Sequence, residues 1–267
     1  MTEIQEVLSD LNADCEEVDQ LVSGLDASQW QLPTPAPGWT IAHQIAHLAA
    51  TFHLAAMAAS DPTAFRDFTG RLSGNFGANV EAALAPFLND PPEMLLGRWR
   101  DERASVTKAL AAVPAGQVVP WLVRPLPAAI LACAGIMENF AHGQDIADAL
   151  GVQRETTDRL RRLVGFAVLV WDFGYQSRGL TPPQEQFRFE ITAPSGEVWA
   201  FGPPDAAQQI TGPAADLCLL VTRRRHRDDL ALTATGADAE QWLDVAQAYR
   251  GPAGPGRAPG QFAGSGR

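Results

Sequence analysis

The sequence predicts an all-helical N-terminal block, residues 1–183, followed by a smaller α+β domain, residues 184–250, and a Gly/Pro tail, residues 251–267. Three observations carry that division. Apolar residues recur at three- and four-residue steps through the first block, the mark of amphipathic helices. At Phe187-Arg-Phe-Glu-Ile-Thr-Ala193 the period drops to two, the mark of a half-buried strand. From Gly251, the run Gly-Pro-Ala-Gly-Pro-Gly-Arg-Ala-Pro-Gly has no residues with which to build a core and is expected to be disordered.

The first helix is expected over residues 2–25, with Ile4, Val7, Leu8, Leu11, Cys15, Val18, Leu21 and Leu25 on one face. Gln31-Leu-Pro-Thr-Pro-Ala-Pro-Gly38 cannot continue it, because each proline removes a donor and restricts its neighbour. A second helix opens after Thr40, a suitable N-cap, and runs to about Ser60. Residues 61–91 are interrupted by prolines and glycines, leaving one short helix at 78–87. A third long helix spans about 93–113, with Met94, Leu95, Trp99, Val106, Leu110 and Val113 on its apolar face. After a loop at 114–127 come a strongly apolar helix, 128–150, closed by Gly151, and a further helix, 155–180. In the second domain, strands at 187–193 and 198–201 flank the turn Pro194-Ser-Gly-Glu197. A strand near 208–212, a helix at 213–223, a strand at 230–234 and a helix at 237–249 complete it.

The composition excludes several function classes. Of 267 residues, 20 are Lys or Arg and 31 are Asp or Glu, a formal charge of −11, so no basic stripe is available to track nucleic-acid phosphates. No run of 18 apolar residues offers a membrane span. MTEIQEVLSD lacks the flanks of a signal peptide. Cys15, Cys133 and Cys218 are too few and too scattered for a disulfide scaffold. A cytoplasmic protein acting on a small molecule is expected, as a monomer or a homodimer.

Four of the five histidines fall in two apolar helices of the first block. In Trp39-Thr-Ile-Ala-His43-Gln-Ile-Ala-His47, the histidines stand one turn apart. In Met137-Glu138-Asn-Phe-Ala-His142, Glu138 and His142 share a face at i,i+4. A carboxylate and an imidazole one turn apart, plus an imidazole from a facing helix, make a three-ligand divalent-metal set with an open fourth position. The apolar surroundings point these groups inward, where they need partners. A buried His–Glu hydrogen bond satisfies the same pattern, so spacing leaves both readings open.

The remaining residues give less. His53 lies roughly 240° around the helix from His47 at 100° per residue, on a different face. His226, in Arg223-Arg-Arg-His-Arg227, reads as a solvated edge or helix C-terminus. The three cysteines read as buried and inert. No G-x-S-x-G elbow, P-loop or G-x-G-x-x-G is present. Trp39 and Trp171 read either as core or as walls of a pocket at the junction of the two domains.

Pro37-Gly-Trp-Thr40, Ile45-Ala-His47-Leu48 and Met137-Glu138-x-x-Ala-His142-Gly-Gln-Asp145-Ile-Ala-Asp-Ala-Leu-Gly151 resemble the mycothiol-dependent maleylpyruvate isomerase family, part of the DinB-like metal-binding four-helix superfamily. Ile210-Thr-Gly-Pro-Ala-Ala-Asp-Leu-Cys-Leu-Leu-Val-Thr222 and Leu232-Thr-Ala-Thr-Gly-Ala237 resemble the C-terminal α+β domain of the same family. The likeness covers about residues 3–255 and is nearest to an actinobacterial branch whose members mostly lack an assigned reaction. It implies an up-and-down four-helix bundle with one zinc ion on His47, Glu138 and His142. His43, one turn from His47, is expected from its position to be a neighbouring group or pocket base rather than a ligand.

The resemblance also implies a reaction. Zinc lowers the pKa of the mycothiol thiol; the thiolate adds to an electrophilic double bond, the new single bond rotates, and elimination completes an isomerisation. Without elimination the outcome is S-transfer. The chain departs from the family pattern at His43 and His53, often Asp, at Gly135, often basic, and at Trp171-Asp-Phe-Gly-Tyr175, often arginine-bearing. Loss of guanidinium clamps argues against a small dicarboxylate and for a larger, more apolar substrate. The alternatives are a specialised-metabolism cyclase or isomerase without a thiol cofactor, and a non-catalytic small-molecule binding protein.

Overall fold

The computed structural model describes residues 2–262, which form ten α-helices and six strands. The chain divides into two compact units, Met1–Val152 and Gln153–Arg267.

In the first unit, α1 (Glu3–Val22) opens on Thr2, whose backbone N–H donates to Gln5 Oε1 at 3.0 Å. Its buried stripe is Val7, Leu8, Leu11, Cys15, Val18 and Val22. The helix stops three residues before Leu25, so Val22 closes the stripe and Leu25 falls in the turn beyond it. A short 3-10 turn, Gln29–Gln31, buries Trp30. The proline run then folds back on itself, with Pro33 and Thr40 paired as an antiparallel bridge. The Trp39 carbonyl accepts from Thr34 N at 2.8 Å and from Thr34 Oγ1 at 2.9 Å. Gly38 makes this reversal possible at φ +79°, a conformation that costs other residues.

α2 (Ile41–Ser60) follows directly from Thr40. Residues 61–91 hold more helix than expected. Asp61 Oδ1 accepts from Thr63 N and Ala64 N, and Pro62 occupies the first turn, so the residues that look like breakers start α3 (Pro62–Thr69). Asn75 caps α4 (Phe76–Leu88), which carries Pro86 within it. α5 (Pro92–Ala111) buries Leu95, Leu96, Trp99, Val106 and Leu110, whereas Met94, expected on that face, is 56% exposed. The expected loop at 114–127 contains a two-stranded antiparallel ladder, β1 (Val118–Val119) with β2 (Leu126–Pro127). α6 (Ala128–Leu150) ends at Gly151 as expected. α2 packs against α5 and α6, and α1 packs against the same two helices, so the unit's core lies among these four long helices.

In the second unit the single helix expected over 155–180 is two: α7 (Leu160–Leu169) and α8 (Phe173–Gln176). A Cβ on Gly174 would stand 1.9 Å from the Val245 carbonyl oxygen, so this turn must approach the backbone of a later segment and cannot prolong α7. β3 (Arg188–Thr192), β4 (Val198–Phe201), β5 (Gln209–Pro213) and β6 (Thr233–Thr235) form one sheet in the order β4-β3-β5-β6. Only β3 and β5 are parallel. Phe189, Ile191, Trp199 and Ile210 are buried at alternate positions, the two-residue period of the sequence. α9 (Ala214–Val221) packs on β5 and β3, and α7 packs on α9 and β4. α10 (Ala237–Val245) packs on α8 and β6 and stops short of the expected 249.

Two boundaries need correction. The compact units divide at Val152/Gln153, not at 183/184, because α7 and α8 pack on elements of the sheet unit. The tail is also placed over residues 251–262 rather than disordered from Gly251. Gly260 N donates to Asp229 Oδ1 at 2.8 Å, Arg223 Nη2 donates to the Gly254 carbonyl at 3.3 Å, and the Arg225 guanidinium lies 3.8 Å from the Phe262 ring centroid. The basic run read as a solvated edge is therefore the surface that receives the tail. Residues 263–267 of that expectation lie outside the described residues.

Candidate metal centre

His47 projects from α2, and Glu138 and His142 from α6, the pair of helices that pack together across the unit. The i,i+4 spacing puts Glu138 and His142 on one face of α6, and His47 meets them from opposite. Glu138 Oε2 lies 3.3 Å from His47 Nε2 and 3.2 Å from His142 Nε2. One ligand atom from each of the three lies within 4.8 Å of the other two. Burial alone would raise the Glu138 carboxyl, but hydrogen bonds and charge from His142 and His47 outweigh it and hold the group far below the ordinary carboxylate range.

The donor set suits a divalent ion. Bonds of about 2.0–2.1 Å to a tetrahedral centre require ligand atoms about 3.3 Å apart, and the two N···O separations to Glu138 match this. The His47 and Glu138 side chains are each 21% exposed and His142 11%, so the cluster is reachable from outside. Among the described residues these three form the cluster, the ligand number of a site that keeps a position open.

Trp39 roofs the trio. Its ring centroid lies 5.9 Å from that of His142, nearly stacked, and 5.4 Å from that of His47. The folded proline loop places it there, immediately before α2. Thr51, one turn beyond His47, brings Oγ1 within 3.4 Å of His47 Nε2. Gln44, fully buried, sets Oε1 2.5 Å from His142 Nδ1. Sequence reasoning missed Thr51 and Gln44, although a lone amide inside IAHQIAHLAA is a signal in itself, since a buried amide must find partners.

His43 lies outside the cluster. Nδ1 accepts from the Thr40 backbone N–H at 3.3 Å and stands 2.9 Å from Thr40 Oγ1, so the ring caps α2. Burial lowers its pKa and favours the neutral ring. With Nδ1 accepting, the proton sits on Nε2, and that nitrogen offers a donor rather than a base.

The other singled-out residues go elsewhere. Trp171 sits half-buried in the second unit, its ring 5.9 Å from Tyr175 and 5.0 Å from Phe187, and its carbonyl accepts from Trp242 Nε1 at 2.9 Å. Packing by itself accounts for this residue. His53 pairs with Glu102 at 3.0 Å, and His226 Nδ1 accepts from Asp228 N at 3.2 Å. The three cysteines are buried, and burial pushes the Cys15 thiol up to about 12. Among the described residues no helix is long and apolar enough to cross a membrane.

The chain is similar to several known proteins. Two uncharacterized proteins of Mycobacterium tuberculosis, from strains CDC 1551 and H37Rv, are each 44% identical over 250 residues, covering 94% of this chain and 97% of theirs. Crystal structures of the mycothiol-dependent maleylpyruvate isomerase and of one of its mutants superpose with TM-scores of 0.53 and 0.55. They do so at 17% and 16% identity, over 81% of this chain and 88% of theirs, which establishes likeness of fold. Residues 183–235 match a family model described as wyosine base formation. Residues 11–147, which include all three members of the cluster, match the model of the mycothiol maleylpyruvate isomerase N-terminal domain, and the chain belongs to that family.

Proposed function

We propose that the protein is a metal-dependent enzyme that uses a thiol, mycothiol, to isomerise an electrophilic small molecule or to transfer the thiol to it. The observation that carries this reading is the convergence of His47 Nε2, Glu138 Oε2 and His142 Nε2, spaced as ligands of one divalent ion and partly open to solvent. A zinc ion held there would lower the pKa of a thiol and supply thiolate at neutral pH. In this reading α1, α2, α5 and α6 make the up-and-down four-helix bundle that carries the site. Trp39 covers the two imidazoles and presents an aromatic face to substrate. Thr51 Oγ1 and the His43 Nε2–H offer hydrogen bonds near the reacting groups. The aromatic roof favours a substrate with an apolar body over a compact dicarboxylate.

The test is spectroscopic. The protein loaded with Co2+ is titrated with mycothiol, and a thiolate-to-cobalt charge-transfer band is expected to grow to one equivalent. A panel of electrophiles is then screened for thiol-dependent isomerisation or S-conjugation. A Co2+ protein that gives no thiolate band sinks the thiol-dependent reading.

A further inference from the structure

Gln44, fully buried, reaches His142 of the cluster, and its surroundings determine which way its amide points. Thr34 Oγ1 donates to the Trp39 carbonyl at 2.9 Å. With its proton committed, that oxygen can only accept from Gln44, so the Gln44 atom 2.8 Å away is the donor, Nε2. Oε1 then faces His142 Nδ1 at 2.5 Å, and an acceptor opposite that nitrogen requires Nδ1 to carry the proton. Nε2 faces Glu138 Oε2 from 3.2 Å. A proton bridges that pair in metal-free protein, and a divalent ion that displaces it finds both atoms as ligands.

We propose that Gln44 is a positioning residue: it holds His142 in the Nδ1–H form with Nε2 available as a ligand. Through Thr34 it also ties that ring to the loop bearing Trp39. The inference rests on the metal-binding reading above and extends it to a residue outside the ligand set. The physical requirement is general, since a ligating imidazole needs its other nitrogen anchored to fix both tautomer and ring plane. Gln44 is suited to that task because it is fully buried and both ends of its amide are engaged.

Two measurements test it. In metal-free protein labelled with 15N in histidine, long-range 1H–15N spectra should show His142 protonated at Nδ1. A proton on Nε2 alone overturns the assignment. In competition with a chromophoric chelator, Gln44→Leu should weaken Co2+ binding about 10–100-fold, the usual cost of losing such an anchor. Gln44→Glu, which keeps an acceptor toward Nδ1, should restore binding. Thr34→Val, which leaves Gln44 in place but frees its amide to turn, should weaken binding less than Gln44→Leu does. Unchanged affinity and an unchanged cobalt spectrum in both Gln44→Leu and Thr34→Val overturn the proposal. If Gln44→Leu does not fold, Gln44→Glu against Thr34→Val carries the same comparison. Wild-type protein that takes up no Co2+ removes the metal reading, and the histidine spectra then decide the role of Gln44 alone.

Discussion

Asp19 on α1 and Glu138 on α6 are both carboxylates set into helix seams of the first unit, yet they are neutralised by different means. Asp19 is met by resident cations. Arg100 grips it at 2.6 and 2.7 Å, and Arg103 adds a third bond at 3.0 Å. The Arg100 hydrogen bond holds the Asp19 carboxyl below its ordinary range despite burial. Glu138 is met by two imidazoles at 3.2 and 3.3 Å, and an imidazole, unlike a guanidinium, can give up its proton. Both carboxylates are held ionised in the folded state. The guanidiniums on Asp19 are permanent partners, whereas an imidazole can exchange its proton for a metal ion, so the second arrangement can also receive a cation.

The largest expected effect breaks or keeps the comparison outright. Replacing both His47 and His142 with Ala should reduce bound metal from one per chain to none, measured by elemental analysis of purified protein. Full occupancy in the double variant would show that the cluster is not the site. Next, the two carboxylates should respond differently to metal. Asp19→Asn should lower stability in urea by about 1.5–3 kcal/mol, the range for hydrogen bonds to charged groups, and should keep the stabilisation gained on adding Co2+. Glu138→Gln should also lower stability in metal-free protein, since its carboxylate is likewise held ionised, and should lose the stabilisation by Co2+. An equal response of the two variants to Co2+ would dissolve the distinction.

The pH dependence sharpens it. The folded pKa of Asp19 lies below its unfolded value of about 3.9. Its contribution is therefore complete above that value and is lost as pH falls through the folded pKa. The gap between wild type and Asp19→Asn should be largest above about pH 5 and close in acid. A gap that widens below pH 4 would contradict the ion-pair account.

The tryptophans give smaller effects of different kinds. Trp171→Ala should lower stability by about 1–3 kcal/mol, as expected for a partly buried aromatic, with metal content unchanged. Trp39→Ala, also at a partly buried site, should cost a similar amount of stability, while thiol or substrate affinity falls clearly. The reverse pattern would move the aromatic wall of the site to Trp171.

Much of the candidate metal cluster was legible in the sequence because i,i+4 spacing converts directly into one helical face. Glu138 and His142 needed only a helix through residues 128–150. His47 could not be separated from His43 by spacing, since both lie one turn apart on the same segment. Only the packing of α2 on α6 put His47 opposite Glu138 and left His43 capping its own helix. Gln44 stayed hidden because its importance comes from Thr34, ten residues away across the folded proline loop.

The sequence alone determined the elements whose signals are local: the amphipathic helices, the period-two strands from residue 187, the stop at Gly151. Tertiary structure decided what depends on partners distant in the chain. It split the 155–180 helix where Gly174 meets Val245, and it moved the unit boundary to Val152 by giving α7 and α8 to the sheet. It also seated residues 251–262 on the basic run, through a carboxylate at Asp229 and arginines whose geometry no local pattern encodes. Periodicity reports which face of an element is apolar; which other element covers that face is a matter of long-range contact, and here that choice made the site.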